Sequence, residues 1–222
     1  MSCNDTLVHT IGKADVFELL SCLFAYPDAH VAQGLSEGSI AEDVQSCLTD
    51  LGASEAEIAA CVADFEQWRG ADEAALLSSM RVTYSELYLK PGGHTPIQPY
   101  ESAFVHGERG LPGAPTLFRT RITMDVEKCM RDAGVLPKTA RKEPSDSVAD
   151  ECAYLSYLYG SLASALHDED EAAQSSWTAH ITTFEETHAN TWLPVFMTKT
   201  REQASGTPYA TFAHMALVAL DA

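Results

Sequence analysis

An all-α fold is predicted by three observations. Apolar residues recur at spacings of three and four through most of the chain, no segment alternates convincingly at period two, and Ser or Thr caps and glycine stops bracket the periodic stretches. With 222 residues the chain is long enough to bury one large core. No internal repeat or low-complexity tract divides it, and the candidate linkers near 90–99 and 134–146 are too short to demand a boundary. The expectation is a single globular helical domain over 1–222, with about nine or ten helices.

The elements follow in order. In "ADVFELLSCLFA" (14–25), Val16, Leu19, Leu20 and Leu23 share a helical face, and Tyr26-Pro27 ends it because proline disfavours helical geometry in the residue before it. Ser39 with Glu42 and Ser54 with Glu57 read as capping boxes for two helices closed by Gly52 and Gly70. Leu76, Met80, Tyr84, Leu87 and Tyr88 mark a helix over about 72–89. The turn-rich stretch "LKPGGHTPIQPYESAF" (89–104) then interrupts the helical pattern, with a short helix expected near Tyr100–His106. Residues 116–133 return to helix, with Ile122, Val126 and Cys129 in register and Gly134 as the stop. After the polar connector "LPKTARKEPSD", a long helix runs from about Ser147 to His167. Trp177, Ile181, Phe184 and His188 mark the next. "TWLPVFMTKTREQA" reads as a helix with Pro194 in its first turn, and Thr207-Pro208 opens the last.

Composition narrows the function classes. Thirty-two acids against fourteen Lys and Arg give a net charge of −18, which repels phosphate backbones and argues against a nucleic-acid partner. The six cysteines are scattered with no CxxC pair, and the N-terminus lacks a basic start followed by an apolar run. No apolar stretch approaches the roughly 20 residues a bilayer span requires. These features predict a cytoplasmic protein with reduced thiols and no stable membrane insertion.

Catalytic and cofactor signatures are weak. Among eight histidines, His180 and His188 can share a helical face, but the HExxH spacing that converges two imidazoles on zinc is missing. "KPGGH" and "GERGLPG" match neither a P-loop nor GxGxxG after a strand. There is no GxSxG elbow, Cys152 falls inside a helix, and Asp150-Glu151 point apart as helical neighbours. No cofactor and no metal are expected, and the chain reads as a non-enzyme. Charge is uneven instead: ten acids and a single Arg69 lie between Glu37 and Glu73, and eight acids with no Lys or Arg between Glu143 and Glu171. Eight Lys and Arg fall between Arg109 and Lys142. An acidic face bordering aromatics suits a peptide that is basic at one end and apolar along the rest; a merely solvated acidic face is the plainer alternative.

Three segments together resemble the TorD/DmsD family of redox-enzyme maturation chaperones: "YSELYLKPGGHTPIQPYESAF", "EPSDSVADECAYLSYL" and "FEETHANTWLPVF", in matching order over about residues 80–200. The resemblance implies a chaperone that binds the twin-arginine leader of the apo-form catalytic subunit of a molybdenum oxidoreductase, assists cofactor insertion before export, and is a monomer or dimer. It places signal-peptide recognition on Leu87, Tyr88, Pro99, Tyr100, Glu101, Ser102, Phe104, Asp146, Ser147 and Glu151, with Glu101 and Asp146 as charge partners for arginine. Tyr84, His188, Trp192 and Phe196 are either core or contact residues. Where the family usually has histidine after the aspartate, this chain has Ser147, which can cap a helix but carries no charge. Two other readings stay open: a small all-α enzyme or nucleotide-dependent protein with a dispersed site, and an acidic scaffold. The leader reading requires that the turn-rich middle and the start of the long later helix meet in space.

Overall fold

The computed structural model describes residues 3–90, 95–135 and 143–222. Parts of the turn-rich loop (91–94) and of the polar connector (136–142), both read above as linkers, lie outside the described residues. Helix α1 (Cys3–Leu23) starts well before the expected Ala14. Its first turns are polar on one side, but Thr10 is buried and its hydroxyl donates to the Thr6 carbonyl (2.8 Å). Gly12 lets the helix lie close to the end of α3 (Ser39–Asp50): a Cβ there would come within 2.9 Å of the Asp50 Cβ.

Sequence patterning missed α2 (Ala29–Glu37), a single short amphipathic stretch capped by the Asp28 carboxylate, which accepts the His30 and Val31 N–H groups. That helix changes how the next one starts. Gly38, at φ 85°, both ends α2 and precedes α3, so the expected Ser39–Glu42 box does not form; Ser39 Oγ points back toward the Gly34 carbonyl at 3.5 Å. The second box does form at α4 (Glu55–Glu66). Ser54 N–H donates to Glu57 Oε2 (2.9 Å), and Glu57 N–H to Ser54 Oγ (3.3 Å).

Helix α5 (Glu73–Tyr88) leads into the proline-rich loop, and α6 (Glu101–Glu108) leaves it. Helix α7 (Arg121–Asp132) begins at Thr120, whose Oγ1 accepts the Thr123 N–H (2.9 Å), rather than at residue 116. Ser147 caps α8 (Val148–His167) through the Asp150 N–H (3.0 Å). From α9 (Glu171–Phe184) the chain passes through a π-helical turn (Glu185–Ala189) directly into α10 (Asn190–Gln203). Pro194 therefore sits inside a continuous helix rather than in a first turn. The π-helical turn lies just before it in the same run of helix. Pro208 opens α11 (Pro208–Asp221) as expected. With α9 and α10 joined, the eleven α-helical spans make ten continuous helices among the described residues, and none of those residues forms an extended strand.

Helix α1 packs along α8, and α10 packs on α11. The shared core is aromatic: Phe196 meets Trp192 (5.2 Å between ring centroids), Tyr88 (5.7 Å) and Phe24 (5.8 Å), while Tyr209 and Phe212 close the other side. Such rings supply large buried apolar area in fixed relative orientations. Tyr88 at the end of α5 and Phe104 in α6 both pack against Phe196.

Candidate functional site

The loop before α6 and the segment before α8 cross each other. Tyr100 and Ser147 form an antiparallel β-bridge; Glu101 N–H donates to the Asp146 carbonyl (2.8 Å) and Val148 N–H to the Pro99 carbonyl (2.9 Å). Both segments of this crossing are short because each runs at once into a helix. The loop is tied to α5 as well, where Ile97 N–H donates to the Leu87 carbonyl (3.1 Å).

Beneath the crossing lies a buried polar cluster. The Asp146 side chain is fully buried; its carboxylate accepts the Ser102 N–H (2.9 Å) and the Thr123 hydroxyl (3.2 Å), so it caps the first turn of α6 and tethers α7. Glu101, also buried, accepts from His188 Nδ1 at 2.7 Å. Glu151 accepts the Trp192 indole N–H (2.9 Å) and leaves its other oxygen buried without a partner. Burial, followed by the neighbouring Glu101 charge, raises the Glu151 carboxyl well above the ordinary range and favours its neutral form. For His188, burial acts to lower the pKa. Interactions with Cys129 and Glu101, then the charges of Glu101 and Glu151, outweigh it and raise the value to about 10. A protonated His188 thus sits 2.7 Å from Glu101 inside the protein.

Two clefts open on either side of the crossing. One, of about 350 Å³, is lined by Phe24, Tyr26, Tyr84, Leu89, Pro99, Tyr100, Glu143, Ser147 and Asp150, among others. Aromatic rings form much of its wall: Tyr26 lies edge-on to Tyr84 at 5.4 Å. Its charge is negative. The Asp150 carboxyl is raised by burial and by Glu143 and Asp146, against the lowering effect of its Ser147 hydrogen bond (2.7 Å). The Tyr100 hydroxyl is raised by burial and then by Glu143, Asp150 and Asp146. The other cleft, of about 500 Å³, lies between α6, α7 and α10, with Glu101 and His188 in its lining.

The crossing brings the sequence-singled residues together but sorts them by depth. Pro99, Tyr100 and Ser147 line the aromatic cleft. Glu101, Ser102, Asp146 and Glu151 form the cluster beneath it. Leu87, Tyr88 and Phe104 are in the core, where the Tyr88 hydroxyl meets Thr200 Oγ1 (3.0 Å). Trp192 and Phe196 are fully buried core residues, His188 belongs to the buried cluster, and Tyr84 is half-buried on the cleft wall. Sequence reasoning missed Tyr26 and Glu143 and set Asp150 aside as surface solvation. Tyr26-Pro27 was legible only as a helix stop; the Glu-Pro start of the second resembling segment was the available signal for Glu143.

Among the described residues no group of three His, Cys, Asp or Glu side chains is arranged to hold a metal ion, and no helix is long and apolar enough to cross a membrane. Cys47 and Cys61 are buried thiols pushed up to about 12, mainly by desolvation. The fold is all-α, and its conspicuous feature is a cleft at a loop–helix crossing. The chain belongs to the nitrate reductase delta subunit family, whose model matches residues 48–198. This family consists of molybdoenzyme maturation chaperones that act with nitrate-reductase-type catalytic subunits. The match starts inside α3 and takes in α4, a region whose likeness to the chaperones had been legible only as helicity. No curated protein and no solved structure matches the chain.

Proposed function

We propose that this chaperone is cytoplasmic and binds the twin-arginine leader of its client's apo-form catalytic subunit, holding that subunit until its molybdopterin cofactor is inserted and export can proceed. The observation that carries the reading is the cleft at the crossing, where Glu143 and Asp150 stand beside Tyr100, Tyr84, Tyr26 and Leu89. A guanidinium gains a charge-assisted hydrogen bond from a carboxylate and a cation–π contact from an aromatic face, and the apolar part of a leader gains from the same rings. Leu89 and Tyr26 are 47% and 55% exposed, large values for apolar and aromatic side chains next to buried neighbours. The recognition surface is Pro99, Tyr100 and Ser147 with these groups. Glu101, Ser102, Asp146 and Glu151 contribute from below by holding the crossing rigid, and the Asp146 carboxylate adds negative potential.

Calorimetric titration with a synthetic twin-arginine leader peptide tests this. Asp150→Asn and Tyr100→Ala are each expected to weaken binding by about 10-fold or more, as loss of a charge partner or an aromatic anchor does, with unchanged circular dichroism. Replacing both peptide arginines with glutamine should do the same. Full affinity in both protein variants would remove the cleft from leader recognition.

A further inference from the structure

The second cleft differs from the first in carrying cationic side chains among its acids Glu101, Glu108 and Asp125. On a protein of net charge −18, it carries Arg109 from the end of α6, Arg121 from the start of α7, and His188 from the π-helical turn. Neither guanidinium makes a hydrogen bond or ion pair with any described residue. The neighbouring acids are largely engaged elsewhere. Glu108 is ion-paired with Lys199, and Glu101 takes the Nδ1 side of His188. The Thr187 and Thr191 hydroxyls, also in the lining, donate to the Thr183 and His188 carbonyls. That leaves His188 Nε2, buried on a side chain only 3% exposed, without a hydrogen-bond partner, although the Cys129 side chain also acts on the ring. Its nearest acid is Asp125, whose carboxylate stops at 3.6 Å and is itself 57% exposed.

We propose that the cleft between α6, α7 and α10 is an oxyanion-binding site in which Arg109, Arg121 and His188 Nε2 take a phosphate or carboxylate group. Two guanidiniums offer planar, forked donor sets that match either oxyanion, and a buried imidazole supplies a fixed donor at the base. The Nδ1 bond to Glu101 orients the ring so that Nε2 faces away from that carboxylate, while the raised affinity of His188 for protons keeps a hydrogen on both nitrogens near neutral pH. Asp125 stands beside Nε2 without reaching it, so a bound oxyanion displaces an exposed, weakly held side chain rather than a packed one. The apolar part of the lining, Phe104, Val105, Ile122 and Val195, gives a ligand carrying the oxyanion an adjoining surface. Nothing in this site depends on a leader peptide occupying the other cleft.

The full-length protein, labelled with nitrogen-15, is titrated with inorganic phosphate and separately with succinate at constant ionic strength. The side-chain N–H resonances of Arg109, Arg121 and His188 are followed. The expected result is a saturable shift of all three with a single Kd for at least one of the two anions. Saturation by phosphate alone, succinate alone or both assigns the ligand as phosphoryl, carboxyl or either. Arg109→Gln/Arg121→Gln, both at exposed positions, should lose about 10-fold in affinity, equivalent to about 1.4 kcal/mol, and Asp125→Asn should gain a few-fold by removing the competing carboxylate. The proposal is overturned if neither anion gives a saturable shift, or if the double arginine variant binds as the parent does. Because no leader is present in the tube, either outcome leaves the leader-binding proposal untouched.

Discussion

Tyr100 and Ser147 pair backbone to backbone across an antiparallel bridge, and the residues on either side of that bridge serve opposite faces. Tyr100 turns toward the aromatic cleft, while Glu101, the next residue, turns inward to His188. Two adjacent residues thus link a surface able to meet a partner with the buried charge cluster that keeps that surface in place. Four predictions follow from this arrangement and its surroundings.

The His188–Glu101 pair makes stability depend on pH. A histidine whose folded pKa is raised to about 10 from an unfolded value near 6.5 stabilises fully below about pH 6.5 and loses that contribution as pH rises toward 10. The raised Glu151 pKa acts in the same direction, since burying its charged form becomes unfavourable as pH rises. Urea midpoints between pH 6 and 10 should fall by an amount on the order of a few kcal/mol in free energy. In Glu101→Gln/His188→Gln the decline should be much shallower; an equal slope would show that the pair does not control it.

Asp146 holds α6 and α7 to the crossing through two hydrogen bonds from full burial. Asp146→Ala leaves the buried Ser102 N–H short of an acceptor, while the Thr123 hydroxyl can turn to Thr120 Oγ1 or the Leu117 carbonyl, a loss of roughly 1–3 kcal/mol. Equilibrium denaturation measures the loss. Hydrogen exchange should speed up at the Ser102 amide ahead of the α1–α8 core.

Glu151 behaves differently from Asp146 because its neutral form is favoured. Glu151→Gln keeps an acceptor for the Trp192 indole and removes a costly ionisable group, so its effect at pH 8 should lie within about 1 kcal/mol of the parent. Glu151→Ala, which strands the indole N–H in a fully buried setting, should be markedly worse. Equal damage from both substitutions would mean that Glu151 is ionised in the folded protein.

Leader affinity should weaken as pH falls through the range in which Asp150 gains a proton. Its carboxyl is held above the usual range by burial and by Glu143, so a bound guanidinium must pull the pKa down and release a proton. Titration calorimetry in buffers of different ionisation enthalpy counts that proton, and Asp150→Asn should abolish its release.

The pattern of residues along the chain was enough to establish a helical protein, because apolar spacing, caps and glycine stops are local signals. Ser54–Glu57, Ser147 and Pro208 each do in the fold what their neighbours in sequence predict. The same locality explains the failures. Ser39 has the residues of a capping box, but α2 arrives through Gly38 and pre-empts it. Pro194 looks like a first-turn proline until the π turn joins α9 to α10. The meeting of 99–102 with 145–148 was an expectation from resemblance, and the crossing itself is a matter of tertiary structure. Depth was not legible at all. Glu101, Asp146 and Glu151 read as surface charges, because an acid is rarely buried without partners. Their partners, His188, Thr123 and Trp192, come from other helices, and His188 lies 87 positions away from Glu101. A carboxylate's burial depends on which distant donors the packed helices bring within hydrogen-bond reach. The sequence alone therefore determined that this chain is helical and acidic; only the assembled helices decided which acids face a partner and which hold the crossing together.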